Sequence, residues 1–266
     1  MNDKSYYLDK FFNLENEVIL ITGGLGKLGR KYAETFSAFG AEVVLVDIVD
    51  PASVEFKLPL RTYYFKCDIA NKNDVRALFS KIKLEIGLAS VLINNAAAAQ
   101  TTFFEGSLVK FEDFPLEVWQ ANLNVNLTGA FLCSQEAGKH MLELGRGNIV
   151  NISSTYGIVA CDQRIYGTSG LNSNVAYATT KSGLVNFTRY LASYWQGKGI
   201  RVNCLVPGGV YNNQPKEFFD NYISRTMLKR MAEPDDLGAA LLYLISNSSS
   251  WVTGSVFVVD GGFSAW

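Results

Sequence analysis

Tyr177 and Lys181 stand four residues apart in Val175-Ala-Tyr-Ala-Thr-Thr-Lys-Ser-Gly-Leu184. On a helix that spacing brings both side chains to one face. A phenol, with an ordinary pKa near 10, handles protons poorly at neutral pH. A cation held beside it favours the phenolate, so the pair can work as an acid/base device. Chance also places a Tyr and a Lys four apart in many helices. The meaning of the pair therefore depends on what surrounds it.

A second group of residues is suited to a dinucleotide. An apolar run, Val18–Thr22, leads directly into Thr22-Gly-Gly-Leu-Gly-Lys-Leu-Gly29, and a helical pattern follows. Gly23, Gly26 and Gly29 permit a tight turn and let a pyrophosphate approach the backbone at a helix N-terminus. Leu25, Lys27 and Leu28 fill the rest of that loop and join the candidate cofactor contacts. Asp47 ends the next apolar run, 18 residues after Gly29. An acid there accepts hydrogen bonds from the adenosine ribose hydroxyls and repels a 2′-phosphate. Ile48 follows it, not an Arg, which favours NAD over NADP. Lys27 is the counter-indication; we read it as solvent-facing or near the pyrophosphate. Asp68, followed by Ile69, reads either as an adenine-side residue or as the N-cap of the helix near 73–86.

The elements that must position these residues alternate. Short β-branched runs at 18–22, 42–47, 63–67, 91–94, 148–152, 201–206 and 256–259 are separated by helical patterns near 29–39, 73–86, 116–144, 175–197 and 234–246. Continuous apolar strands alternating with helices predict a seven-stranded parallel sheet covered on both faces, a doubly wound α/β fold. No internal repeat or linker interrupts residues 1–266, which read as one domain with an N-terminal extension at 1–15. Two stretches break the rhythm. Residues 98–114 form a Phe-rich connection, with Phe103, Phe104, Phe111 and Phe114 as wall or core residues. Residues 157–174 are polar and glycine-rich, and long loops in compact domains are usually functional.

Bulk composition narrows the classes. The chain has 266 residues, 48% hydrophobic and 18% charged, with a net charge of −1 and no basic run. A sizeable core is expected, and a nucleic-acid or anionic-membrane partner is not. Cys67, Cys133, Cys161 and Cys204 show no paired spacing and read as reduced thiols of a cytoplasmic protein. The single histidine, His140, excludes a His-rich metal site, and its place late in a helix suits a partly charged ring. No apolar run reaches the roughly 18 residues that span a bilayer.

Taken in order, Thr22–Gly29, Asp68, Asn94-Asn-Ala-Ala97, Asn126, Ile152-Ser-Ser154, Tyr177-x-x-x-Lys181 and Pro207-Gly208 resemble the short-chain dehydrogenase/reductase family, in its classical single-domain branch. The resemblance runs from Asn16 to Phe263. It implies that Tyr177 is the general acid/base, that Ser154 hydrogen-bonds the substrate oxygen, and that Lys181 lowers the Tyr177 pKa and bonds the nicotinamide ribose. It further implies that Asn126 supports a water in a proton relay. Asn94 and Ala96 would line the cofactor after the fourth strand, and Pro207, Gly208 and Val210 after the sixth. It also implies a homodimer or homotetramer, packed through the helix that carries Tyr177. Hydride transfer creates or consumes an alkoxide, so one proton-handling group and one oxygen anchor are the minimum the chemistry needs.

The chain departs from the family pattern in four places, one of them Asn212, which stands for the usual Thr after Pro207-Gly208 and whose amide could still bond a carboxamide. The glycine loop is spaced as in the extended branch, Ala97 replaces a Gly, and Tyr177 follows Ser154 by 23 positions, a wider gap than the pattern has. The polar groups of that insertion suit a polyhydroxylated or anionic small-molecule substrate, with Arg164 as an anion-binding fork and Tyr166 beside it. A solvent-exposed loop or subunit contact is the alternative reading of the same segment. The insertion, the loop and Asn172-Ser173 are similar to a subgroup associated with bacterial surface-sugar biosynthesis. The expectation is an NAD(H)-dependent oxidoreductase acting on a hydroxyl/carbonyl pair, with a sugar or sugar derivative as first choice of substrate. A ketoacyl-thioester reductase is the runner-up, and a catalytically silent dinucleotide-binding scaffold is a third reading.

Overall fold

Seven parallel strands form one sheet in the order β3-β2-β1-β4-β5-β6-β7. The structure is a computed structural model that describes residues 3–98 and 109–266. The strands are β1 (Val18–Thr22), β2 (Glu42–Asp47), β3 (Thr62–Lys66), β4 (Val91–Asn94), β5 (Gly147–Ile152), β6 (Ile200–Pro207) and β7 (Val256–Val259). The helices are α1 (Asp3–Phe12), α2 (Lys27–Ala38), α3 (Lys72–Glu85), α4 (Leu116–Asn122), α5 (Ala130–Leu144), α6 (Val175–Tyr194), α7 (Lys216–Arg225) and α8 (Pro234–Ile245). The doubly wound fold expected from the alternation is the fold observed.

Strand side chains alternate between two cores, because successive residues point to opposite faces. Leu20, Val44, Leu92, Ile149 and Val202 meet Phe79 of α3, Met141 of α5 and Leu191 of α6 on one face. Ile19, Ile21, Leu45, Ile93 and Leu205 meet Tyr32 and Phe36 of α2 and Leu241 of α8 on the other. Both faces being covered explains why the strands read as unbroken apolar runs.

The chain order steps from β1 outward to β3, then back across to β4 and onward to β7. At such a reversal the loops leaving β1 and β4 part, and a crevice opens at the carboxyl ends of the strands. Every residue given a chemical role by the sequence lies near that edge or on the helices entering from it.

Three features differ from the sequence expectation. Residues 116–144 are not one regular helix: Leu123–Gly129 is a π-helical segment between α4 and α5. The N-terminal extension carries α1, whose neighbour is the 3-10 turn at Asn247–Ser249. Between β6 and α8 lies α7, which packs on the 3-10 turn Gln163–Tyr166 of the insertion. Phe103 and Phe104 lie outside the described residues, whereas Phe111 is exposed and Phe114 half-buried. Among the described residues, no helix is long and apolar enough to cross a membrane.

Candidate active site

A cleft of about 640 Å³ runs along the carboxyl edge from Asp47 to Tyr177. Its floor is the glycine loop. Gly23 has φ +64°, and a Cβ there would stand 2.8 Å from the Ala96 backbone, so only glycine lets the β1 and β4 exits approach this closely. A Cβ on Gly29 would meet the Gly23 carbonyl at 2.4 Å; this buried glycine seats α2 against the loop and does not line the cleft. Leu25, Gly26, Lys27 and Leu28 do line it, with Gly23. The N-terminus of α2 has no side-chain cap and no acid in its first turn, which leaves its N–H groups available to a pyrophosphate.

Asp47 closes one end of the cleft. Its carboxylate accepts from Leu25 N at 3.0 Å and from Val49 N at 3.2 Å, so the acid is held in place by the phosphate loop and by its own turn. Lys27 is exposed and engaged: its ammonium donates to the Tyr211 carbonyl and lies 5.9 Å from that ring's centroid. Asp68 and Ile69 line the cleft beside it. Asp68 does not cap α3. It accepts from Ala70 N at 2.9 Å in a local turn, and Asn71 is the N-cap.

The β4 exit separates two neighbouring asparagines. Asn94 is buried; its amide donates to Ser134 Oγ at 3.1 Å and Asn151 Oδ1 at 2.8 Å, away from the cleft. Asn95 and Ala96 line the cleft instead. Asn95 donates to the Thr22 and Gly23 carbonyls at 2.9 and 3.2 Å, pinning the glycine loop. Asn95, Cys67 and Val125 are lining residues that motif reading did not single out. Pro207, Gly208 and Val210 stand at the β6 exit but not in this cleft's lining. Gly208 approaches Asp260, and Val210 bridges to Ala232.

Tyr177 and Lys181 share a face of α6, whose N-cap Asn174 accepts from Tyr177 N at 3.0 Å. Tyr177 keeps a partly exposed edge on the cleft, and Lys181 is buried. The Lys181 ammonium donates to the Ile152 carbonyl at 2.7 Å and lies 5.6 Å from the Tyr177 ring centroid. Burial pushes the Lys181 pKa down to about 8. Burial also raises the Tyr177 phenol; the neighbouring Ser154 hydroxyl pulls it down, and Cys161 pushes it up. Ser154 follows β5, where its hydroxyl accepts from Tyr156 N at 3.3 Å. Tyr177 lines the cleft, and Ser154 and Lys181 lie near it without entering the lining.

Asn126 lies in the π segment, with both side-chain atoms engaged. It accepts from Ala98 N at 2.7 Å and donates to Thr180 Oγ1 at 3.0 Å. The side chain thus ties the β4 exit to α6. Close passage of this helix explains Gly129, where a Cβ would stand 2.7 Å from Ile69.

The insertion departs most from expectation. Arg164 is 76% exposed in its side chain, and its Nε and Nη2 close on Asp162 at 2.8 Å each. Its fork is taken, which argues against the anion-binding role. Arg225 reaches the same carboxylate at 3.0 Å, and Gln163 bonds Ser173 at 2.6 Å. Thr168 N donates to Glu217 of α7 at 3.0 Å. The segment's polarity is spent on itself and on α7. Tyr166 joins Ile165, Tyr156, Tyr222 and Phe263 in an aromatic cluster against Tyr177.

His140 is likewise not the charged ring its helix position suggests. It is buried, its Nδ1 accepts from Ala89 N at 3.1 Å, and burial lowers its pKa. A ring that accepts at Nδ1 is neutral.

Comparison with known proteins extends these observations. A family model described as Enoyl-(Acyl carrier protein) reductase matches residues 26–264. The chain is 32% identical over 263 residues to an NAD-dependent glycerol dehydrogenase of Listeria innocua, covering 96% of this chain and 97% of that one. Among solved structures, a short chain dehydrogenase from Leptospira borgpetersenii with bound NAD+ superposes with a TM-score of 0.85 at 37% identity, covering 95% and 94%. A gluconate 5-dehydrogenase from Burkholderia cenocepacia in complex with NADP and tartrate gives 0.84 at 26% identity, covering 98% and 99%. With full-length matches of this kind, the chain belongs to the short-chain dehydrogenase/reductase family and is an oxidoreductase acting on CH–OH groups.

Proposed function

We propose that the protein is an NAD(H)-dependent dehydrogenase of a polyhydroxylated small molecule, a polyol or sugar. The observation that carries this reading is the single cleft with Asp47 at one end and Tyr177 at the other. When bound, the nicotinamide supplies the redox step as hydride acceptor or donor. Tyr177 takes the hydroxyl proton during oxidation, and Ser154 holds the same oxygen. Lys181 places a cation behind the phenol, favouring the phenolate.

The solved relatives include both NAD+ and NADP complexes, so the cofactor choice rests on this chain's own residues. Asp47, fixed by Leu25 N, would stand against a 2′-phosphate, and Lys27 is engaged with Tyr211. The glycerol-acting relative supports a hydroxyl-rich substrate. An acyl-thioester reductase is the second reading, prompted by the description of the matching family.

Initial rates with NAD+ and NADP+ over a panel of polyols, sugars and sugar phosphates, plus acetoacetyl-CoA with NADH and NADPH, test both readings. NAD+-dependent oxidation of polyols is expected. Asp47→Ser should narrow the cofactor preference by about tenfold or more. A wild-type preference for NADP+ would overturn the reading of Asp47, and acetoacetyl-CoA as sole substrate would overturn the polyol reading.

A further inference from the structure

Tyr177 sits in the first turn of α6, directly after the insertion. No earlier turn supplies carbonyls to the N–H groups of a first turn, so side chains must hold them. Asn174 takes the Tyr177 N–H at 3.0 Å. The Tyr177 carbonyl is held as well, since Thr180 Oγ1 donates to it at 2.9 Å. A threonine bonding the carbonyl three residues back is a local contact and by itself fixes nothing outside its helix. Here the same oxygen also accepts from Asn126 Nδ2 at 3.0 Å, and Asn126 Oδ1 accepts from Ala98 N at 2.7 Å.

The direction of every bond in this chain is set at one end. Ala98 N–H can only donate, so Asn126 presents its oxygen there and its amide nitrogen to Thr180. Thr180 must accept from Asn126, and its single proton is left for the Tyr177 carbonyl. Both side chains are buried, so bulk water does not stand in for either. The π segment brings Asn126 within reach, and it runs so close to α6 that a Cβ on Gly183 would stand 3.3 Å from Leu127. Ala98 and Tyr177 line the same cleft, whereas Thr180 does not enter its lining. Lys181 is held from β5 instead: Ser153 Oγ donates to its carbonyl at 2.7 Å, and its ammonium reaches the Ile152 carbonyl. Thr180 is thus the link between the turn that carries the phenol and the β4 exit.

We infer that Thr180 is a positioning residue for proton transfer, fixing the Tyr177 backbone against the β4 exit through Asn126. It touches neither substrate nor cofactor and acts only through where it holds the phenol. This role rests on the acid/base reading of Tyr177 given above, and it requires neither NAD nor a polyol.

Rates measured across pH, on whichever substrate and nicotinamide the wild type turns over best, test this. Thr180→Val keeps the shape of the side chain and removes the hydroxyl. It should lower kcat by about tenfold or more, with KM changed about twofold or less and NADH affinity unchanged. Burial raises the Tyr177 phenol and the neighbouring Ser154 hydroxyl draws it down, so a displaced ring titrates higher. The limb of the pH profile set by Tyr177, rising in oxidation or falling in reduction, should therefore move to higher pH. Thr180→Ser restores the hydroxyl and should recover most of the rate and return the limb. In Asn126→Ala the tie is already cut, so adding Thr180→Val should cost about threefold or less. Thr180→Ala carries the same expectations if the valine variant does not fold. An unmoved limb, a serine variant no better than the valine one, or losses that multiply in the double variant would overturn the inference. Turnover retained in Tyr177→Phe would instead overturn the acid/base reading, and this role with it.

Discussion

Burial acts in opposite directions on the two groups that handle protons in this cleft. It raises the Tyr177 phenol above its usual 10 and brings the Lys181 ammonium down to about 8. Both shifts favour the neutral forms, so the neighbouring Ser154 hydroxyl and the nearby cation must work against desolvation. Alcohol oxidation needs the phenolate, and its kcat/KM should rise with pH through the neutral range. Lys181→Met should move that rising limb to higher pH, and a limb unmoved in this variant would remove the cation from the mechanism. Tyr177→Phe should lower kcat roughly 10²- to 10⁴-fold with NADH affinity intact by fluorescence titration. His140 gives a stability prediction instead. Its folded pKa lies below 6.5, so as pH falls past 6.5 the unfolded chain takes up a proton that the buried ring refuses. Stability attributable to His140 is therefore lost from 6.5 down to that lower folded value and is level beyond it. Urea midpoints at pH 7 and pH 5 should fall for wild type and fall less for His140→Gln, whose amide oxygen can still accept from Ala89 N. Equal declines would show that the histidine is not the group responsible.

At the scale of elements, the insertion and α7 form one unit against Tyr177. Gly167 is its tightest joint, with φ +56° and a would-be Cβ 2.1 Å from the Glu217 carboxylate. The glutamate can swing away, so most of the cost of Gly167→Ala is backbone strain, on the order of 1–3 kcal/mol. The variant should raise the substrate KM while leaving NADH binding unchanged; weakened NADH binding would mean the unit also shapes the cofactor end. This unit was the least legible part of the sequence. Polar residues in 157–174 give no sign of whether they face a ligand or one another, and here Asp162, Gln163 and Thr168 are satisfied within the protein. Phe218, Phe219, Tyr222 and Ile223 do carry a helical spacing, but it spans only α7's ten residues and is easily taken for loop. The strands were legible because two-sided burial demands continuous apolar runs. Asn94 and Asn95 show the limit of motif reading: adjacent residues leave a strand on opposite sides, and spacing alone does not say which one meets the cleft. The π segment is hidden for a similar reason, since one widened turn shifts the register without breaking the apolar pattern.

For the whole molecule, one surface is not explained by the cleft or the sheet. On α6, Tyr190 and Tyr194 are 62% and 66% exposed, and their rings stack at 6.1 Å. Phe131 of α5 is exposed beside Phe187, with ring centroids 6.5 Å apart. Aromatic side chains grouped in this way on a protein surface mark an interaction face more often than a solvated one. The residues of α6 that point inward are spent on Tyr177, Lys181 and the core, so the same helix links that face to the catalytic pair. Pairing of α6 with its counterpart in a second copy would cover the aromatics and stiffen the helix that sets the Tyr177–Lys181 geometry. Light scattering on the eluting protein should then give at least twice the 29.3 kDa of one chain. The double variant Tyr190→Glu, Tyr194→Glu should shift it to the monomer, because buried like charges facing each other cost several kcal/mol. Loss of turnover should accompany dissociation if α6 depends on its partner, with activity recovering as protein concentration rises. A wild-type monomer would remove the pairing, and a fully active monomeric variant would show that α6 holds its catalytic residues unaided.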